Sequence, residues 1–201
     1  MVVSVDWDEL GIKWQTDKAT TGPRGGLGHG YLEHYQRVLE GFPVSSVLEI
    51  GVQSAGSLFL WHELWPDARV CGIDIDPDCG LISGPFEIVV GDAGDPEAMA
   101  PLDWWRFDLI IDDGSHAAAH TEANMDVWAP RLNPGGVYVV EDAVFGSTSW
   151  IQSVEEVIPM LLRHGLTPFT IERGQMEWVA HQRYGGMMGV VFAAANCEIP
   201  E

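Results

Sequence analysis

The chain has 201 residues, 46% hydrophobic and 20% charged, enough for one domain with a full apolar core. Its 30 acids against 10 bases give a net charge of −20, which repels phosphate backbones and anionic lipid surfaces and so argues against nucleic acid and membrane partners. No run of about 18 apolar residues is present, the N-terminus (MVVSVDWDEL) does not read as a secretory leader, and Cys71, Cys79 and Cys197 match no zinc spacing, so the expectation is a cytoplasmic protein with reduced thiols.

Taken in chain order, a short N-terminal segment leads to the glycine-rich stretch 21–30 (TGPRGGLGHG), which reads as a mobile loop, and then to a helix-like run over 31–40. Strands are expected at 47–50 (VLEI), 69–75 (RVCGIDI), 86–90 (FEIVV), 107–111 (FDLII) and 137–140 (VYVV). Between them, 57–65 places Leu58, Trp61, Leu64 and Trp65 on one helical side, and 117–132 reads as a second helix. A turn is expected at Asn133-Pro134-Gly135-Gly136. Residues 153–164 form a further helix, with Glu155 and Glu156 in its first turn, Arg163 and His164 in its last, and Gly165 as cap. A final pair of strands is expected at 168–171 and 188–193. The nine tryptophans suit core or pocket walls.

Apolar strands alternating with helical patterns imply βαβ units and a doubly wound α/β fold, with a mostly parallel sheet and helices on both faces. In such folds a ligand sits beyond the C-terminal strand ends. Asp74, Asp92, Asp112, Asp113, Glu141 and Asp142 all fall there. A solvated surface alone would not gather carboxylates at one edge.

The first strand-turn-helix reads Glu49-Ile50-Gly51-Val52-Gln53-Ser54-Ala55-Gly56-Ser57. Gly51 lets backbone approach a ligand, and the helix that follows offers free N–H groups. G-x-G-x-x-G is missing, which counts against a dinucleotide and a dehydrogenase. Glu49 inside the turn favours a cationic ligand instead. Asp74 can accept from two ribose hydroxyls, and Asp92 can meet an adenine amine. Three such elements on successive strands point to S-adenosylmethionine (SAM).

VLEIGVQSAGS and GIDID resemble the first and second motifs of the class I SAM-dependent methyltransferases. Ile110-Ile111-Asp112-Asp113-Gly114-Ser115-His116, with Val139-Val140-Glu141-Asp142, resembles a narrower group, the metal-dependent sugar O-methyltransferases of macrolide biosynthesis (the mycinamicin and tylosin tailoring type). Thr16-Asp17-Lys18, His29-Gly30-Tyr31, Tyr35 and Ser57-Leu58-x-x-Trp61 are similar to that group too. The resemblance runs over about 14–142. It implies a seven-stranded sheet whose last strand is antiparallel, a single domain over 1–201 with an N-terminal lid or helical segment over 1–40 and a Rossmann-like core over 44–201, and a glycosylated natural product as acceptor.

A sugar hydroxyl is a weak acid, so a metal that stabilises the alkoxide and a base that takes the proton are the two devices available. Oxygen ligands suit Mg²⁺ or Mn²⁺. Asp113, Glu141 and Asp142 follow neighbouring strands and can converge as metal ligands, with Asp113 also catalytic. His116, three residues beyond Asp113, is the expected base. Glu49, Gly51, Ser57, Asp74, Asp92 and Asp112 are the expected cofactor contacts. A catechol or phenol acceptor and a non-catalytic SAM-binding module are the competing readings. Residues 143–150 and 174–186, the second carrying Trp178, His181 and Tyr184, carry no motif. The chain is short for the group it resembles. A homo-oligomer is compatible with all of this.

Overall fold

The structure is a computed structural model that describes residues 5–102, 104–145, 151–173 and 187–195. Cys197 and the segment 174–186 lie outside them, as does most of 143–150. Seven strands are described: β1 (Ser46–Ile50), β2 (Arg69–Asp74), β3 (Glu87–Val90), β4 (Phe107–Asp112), β5 (Leu132–Phe145), β6 (Leu166–Arg173) and β7 (Met187–Ala195). They form one sheet in the order β3-β2-β1-β4-β5-β7-β6. β1 to β5 run parallel, and β7 is antiparallel to both neighbours, as expected. The chain order reverses between β1 and β4, so the two strand ends open a crevice there, where open α/β sheets place ligands.

The sheet is covered on both faces, which is why its strands are apolar throughout rather than alternating. Around it pack α1 (Trp7–Trp14), α2 (Leu32–Leu39), α3 (Gly56–Leu64), the short α4 (Pro96–Met99), α5 (Ala118–Trp128) and α6 (Val154–Arg163). Leu48, Ile50, Cys71, Ile73 and Ile110 pack with Met125 and Trp128 of α5 and Val157 and Leu161 of α6. Val47, Val70, Leu109 and Ile111 pack on the other face with Trp7, Leu32, Tyr35, Leu58 and Trp61 of α1, α2 and α3. Full burial of each such side chain is worth about 1.5–3 kcal/mol. The period of two along β1 puts Glu49 on the same face as Val47, among α1, α2 and α3.

The helix ends follow their sequences. Ser153 caps α6 in a reciprocal box with Glu156, and Gly165, at φ 71°, turns the chain into β6. The helix expected over 117–132 ends at Trp128 and tightens into a 3₁₀ turn over Ala129–Arg131, since Pro130 has no N–H to continue the ladder. The turn expected at Asn133–Gly136 is drawn into the start of β5, although Gly135 keeps a positive φ of 77°. The N-terminal segment, expected to be helical without stated bounds before residue 31, holds α1, capped by Asp6 accepting from the N–H groups of Asp8 and Glu9. The stretch 21–30, expected as a mobile loop, makes backbone contacts of its own. Thr21 bridges Leu27, and the amides of Gly28, His29 and Gly30 return to the carbonyls of Thr20, Asp17 and Ala19.

Candidate active site

The turn after β1 is shaped by steric necessity. Gly51 sits at φ 95°, and a Cβ there would lie 2.1 Å from the carbonyl oxygen of Asp113. The turn therefore runs directly against the exit of β4. One Asp74 oxygen accepts from the amides of Val52 (2.8 Å) and Gln53 (3.1 Å), and the other from Asp76 (2.9 Å). Burial alone would raise the Asp74 carboxyl, but the backbone donors of Asp76, Val52 and Gln53 outweigh it and hold it below the usual range. Asp74 thus fixes the turn while facing a cavity of about 510 Å³, a normal size for a small-molecule site.

Of the expected cofactor contacts, Glu49, Gly51, Ser57, Asp74 and Asp92 line that cavity. Asp92 is exposed and accepts from the Gly94 amide (3.0 Å). Glu49 is buried and already satisfied: Ser57 Oγ donates at 2.7 Å and Trp61 Nε1 at 2.6 Å. Asp112 is not among the lining residues. It is buried, holds Asn124 Nδ2 at 3.1 and 3.2 Å, and is pushed by burial up to about 6. Asn124, from α5, does line the cavity, so Asp112 reaches the site through it.

Asp113 follows β4, whereas Glu141 and Asp142 lie within β5, which continues past the expected end at residue 140, and irregular backbone aims them. Val140 pairs with Val191 and Ala143 with Gly189, so Glu141 and Asp142 together stand opposite Val190. This is a β-bulge, which turns side chains away from the strand alternation. Asp142 has φ 54° and His116 φ 57°, a region that L side chains seldom occupy and that recurs at functional sites. His116 Nε2 lies 3.5 Å from Asp142 Oδ2, and its Nδ1 is buried without a partner. Tyr31 donates to Asp142 Oδ1 at 2.7 Å, and His29 Nδ1 lies 3.5 Å from that same oxygen.

Asp113, His116 and Asp142 each offer one ligand atom, all within 4.8 Å of one another, and all three face the cavity. Two carboxylates and an imidazole suit a divalent cation with room for further ligands. Glu141, the third acid expected in this set, is not among the cavity-lining residues: it is buried, accepts from Tyr35 OH, and pairs with Lys18 Nζ at 2.9 Å. Burial pushes its carboxyl well up, and Lys18 only partly opposes this.

Lys18 was not foreseen in any role. Its ammonium, 1% exposed, meets Asp113 Oδ2 at 2.5 Å, Glu141 at 2.9 Å and Glu49 at 3.2 Å. Burial lowers its proton affinity, but Asp113, Glu141 and Glu49 together raise it well above the usual lysine value. Tyr31, Tyr35 and His29 were likewise noted only as parts of a motif. The motifs were visible in sequence, whereas the partners stand up to 123 residues away.

No protein-family model matches the chain. It is 32% identical over 148 residues, 68% of its length, to both demethylmacrocin O-methyltransferase of Streptomyces fradiae and mycinamicin VI 2''-O-methyltransferase of Micromonospora griseorubida. It is 34% identical over 146 residues, 67% of its length, to L-olivosyl-oleandolide 3-O-methyltransferase of Streptomyces antibioticus. The chain spans about a third of the length of these curated relatives (36%). Among solved structures, the MycE methyltransferase of the mycinamycin pathway, in complex with Mg, SAH and mycinamycin VI, superposes with a TM-score of 0.72 at 23% identity, over 99% of this chain and 57% of that one. The N-methyltransferase NodS of Bradyrhizobium japonicum gives 0.57 at 19% identity, over 81% of this chain and 94% of that one. The chain therefore carries the class I methyltransferase fold, and over two thirds of its length it is similar to macrolide sugar O-methyltransferases, the group its motifs resemble.

Proposed function

We propose that this chain binds SAM in the cavity at the β1/β4 crevice and transfers its methyl group to a sugar or polyol hydroxyl, with a divalent ion, Mg²⁺ or Mn²⁺, held at the inner end. The observation that carries this reading is the convergence of Asp113, His116 and Asp142 on the cavity that the Gly51 turn and Asp74 also line. MycE was solved with Mg and SAH, and the curated relatives act on sugar-bearing products, which supports carrying both groups over to this chain.

In this reading Asp74 and Asp92 take the ribose and adenine, and the Gly51 turn lets the amino-acid end approach backbone. Asp113 and Asp142 hold the ion, and Glu141 backs them from within. Bound there, a divalent cation lowers the cost of negative charge on an acceptor oxygen. His116 Nε2 takes the acceptor proton, and Asp142 Oδ2, 3.5 Å away, stabilises the imidazolium that results. Methyl transfer is an in-line displacement, so the protein's further work is to position donor and acceptor and keep water out. No described helix is long and apolar enough to cross a membrane.

The test is calorimetric titration of S-adenosylhomocysteine (SAH) and then Mg²⁺ into the wild type and Asp142→Asn, followed by a panel of glycosides against catechols. SAH binding to both, Mg²⁺ binding to the wild type alone and turnover of glycosides are expected. Failure of SAH to bind would overturn the whole reading, and turnover confined to catechols would replace the acceptor class.

A further inference from the structure

Among the described residues, Lys18, Tyr31 and Tyr35 of the N-terminal segment all present donors to acids of β1 and β5 and to Asp113, which follows β4. Lys18 reaches Asp113, Glu141 and Glu49, Tyr31 reaches Asp142, and Tyr35 reaches Glu141. The backbone of Lys18 is tied as well. Its carbonyl accepts from the amides of Tyr31 (2.7 Å) and Leu32 (3.2 Å), which joins residues 16–19 to the first turn of α2. Gln15, Thr16, Asp17 and Lys18 form one wall of the cavity. The same stretch lies on the start of α3, where a Cβ on Gly56 would fall 2.6 Å from the carbonyl oxygen of Trp14 and 3.2 Å from the amide of Thr16.

We infer that Lys18 is the positioning residue that clasps the N-terminal segment over the cofactor cavity, and that its ammonium and the divalent ion share Asp113. This rests on the function proposed above. The physical ground is charge. Glu49, Asp113 and Glu141 share the Lys18 ammonium, and acids as buried as Glu49 and Glu141 are costly when left unpaired. Lys18 therefore holds the segment down by the same contacts that keep the acids compatible with burial. Its role toward cofactor and toward metal then has opposite signs. The closed wall favours cofactor, while the ammonium on Asp113 opposes the ion.

Lys18→Met separates these effects. Amide hydrogen exchange in residues 16–32 is expected to quicken at least 10-fold, SAH affinity to fall at least 10-fold, and Mn²⁺ affinity, read by electron paramagnetic resonance, to hold or tighten. A general loss of structure would weaken both ligands and expose the sheet amides too. Lys18→Arg keeps the charge and should restore the exchange protection in large part. Unchanged exchange and SAH affinity in Lys18→Met, or a parallel loss of Mn²⁺, would overturn the inference. If Lys18→Met does not fold, Lys18→Met/Glu49→Gln, which removes one anion with the cation, is read for exchange and Mn²⁺ by the same criteria. The exchange readout needs no ligand, so its failure is separable from failure of the methyltransferase reading, which SAH binding to the wild type decides.

Discussion

His116 carries the sharpest chemical claim at the scale of single residues. Its left-handed backbone, its Nε2 turned toward Asp142 and its place on the cavity wall fit a base that collects a proton beside an anion. His116→Ala should abolish turnover, on the order of a hundredfold or more, and leave SAH affinity within about threefold. Full activity in that variant would remove the base assignment. Loss of Mg²⁺ along with turnover would instead make His116 a ligand beside Asp113 and Asp142, and calorimetry distinguishes the two outcomes. Asp113 and His116 are legible in the sequence because they follow the end of β4, and Asp142 because it follows the apolar run 137–140, although β5 itself continues to Phe145. The sequence could not show that Lys18 and Tyr35 engage Glu141, since those contacts join segments more than 100 residues apart. Nor could it show that Asp112 faces inward to Asn124. Adjacent acids at a strand end look alike until the alternation of the strand is fixed in space.

Among the secondary elements, the strands and helices of the core were legible because both faces of the sheet are covered, so each strand announces itself as an apolar run between turn residues. The bounds of α1 are hidden by its mixed composition: Trp7 and Gly11 are its buried residues, too few for a helical stripe. In the loop over 21–30 the glycines allow the backbone to return on itself. A Cβ on Gly28 would lie 2.0 Å from the carbonyl oxygen of Ala19. The β5 bulge could not be read from its sequence, because a bulge depends on register with a partner strand. α6 offers a clean test of local chemistry. Ser153→Ala removes the side chain that accepts the Glu156 amide and should cost about 1 kcal/mol, lowering Tm by about 2–4 °C. Ser153 does not line the cavity, so SAH affinity should be unchanged. A Tm equal to the wild type's would show that solvent replaces the cap.

Charge dominates at the scale of the whole molecule. With a net charge of −20, the folded chain repels itself, and added salt should stabilise it by screening, over a Debye length of about 8 Å at 0.15 M. A divalent cation does two things at once: it screens, as any ion does, and in the function proposed above it binds Asp113 and Asp142. The two effects separate at constant ionic strength. Replacing NaCl by MgCl₂ leaves screening nearly the same and adds only binding to the folded state. At about 100-fold over the dissociation constant that binding is worth about 2.7 kcal/mol, or about 5–10 °C in Tm for a chain of this size. The wild type should show this extra rise, and Asp142→Asn should show only the part due to screening. Equal rises in both proteins would mean that Mg²⁺ acts on the acidic surface at large, and that the carboxylates at the strand ends gather there for a reason other than holding an ion.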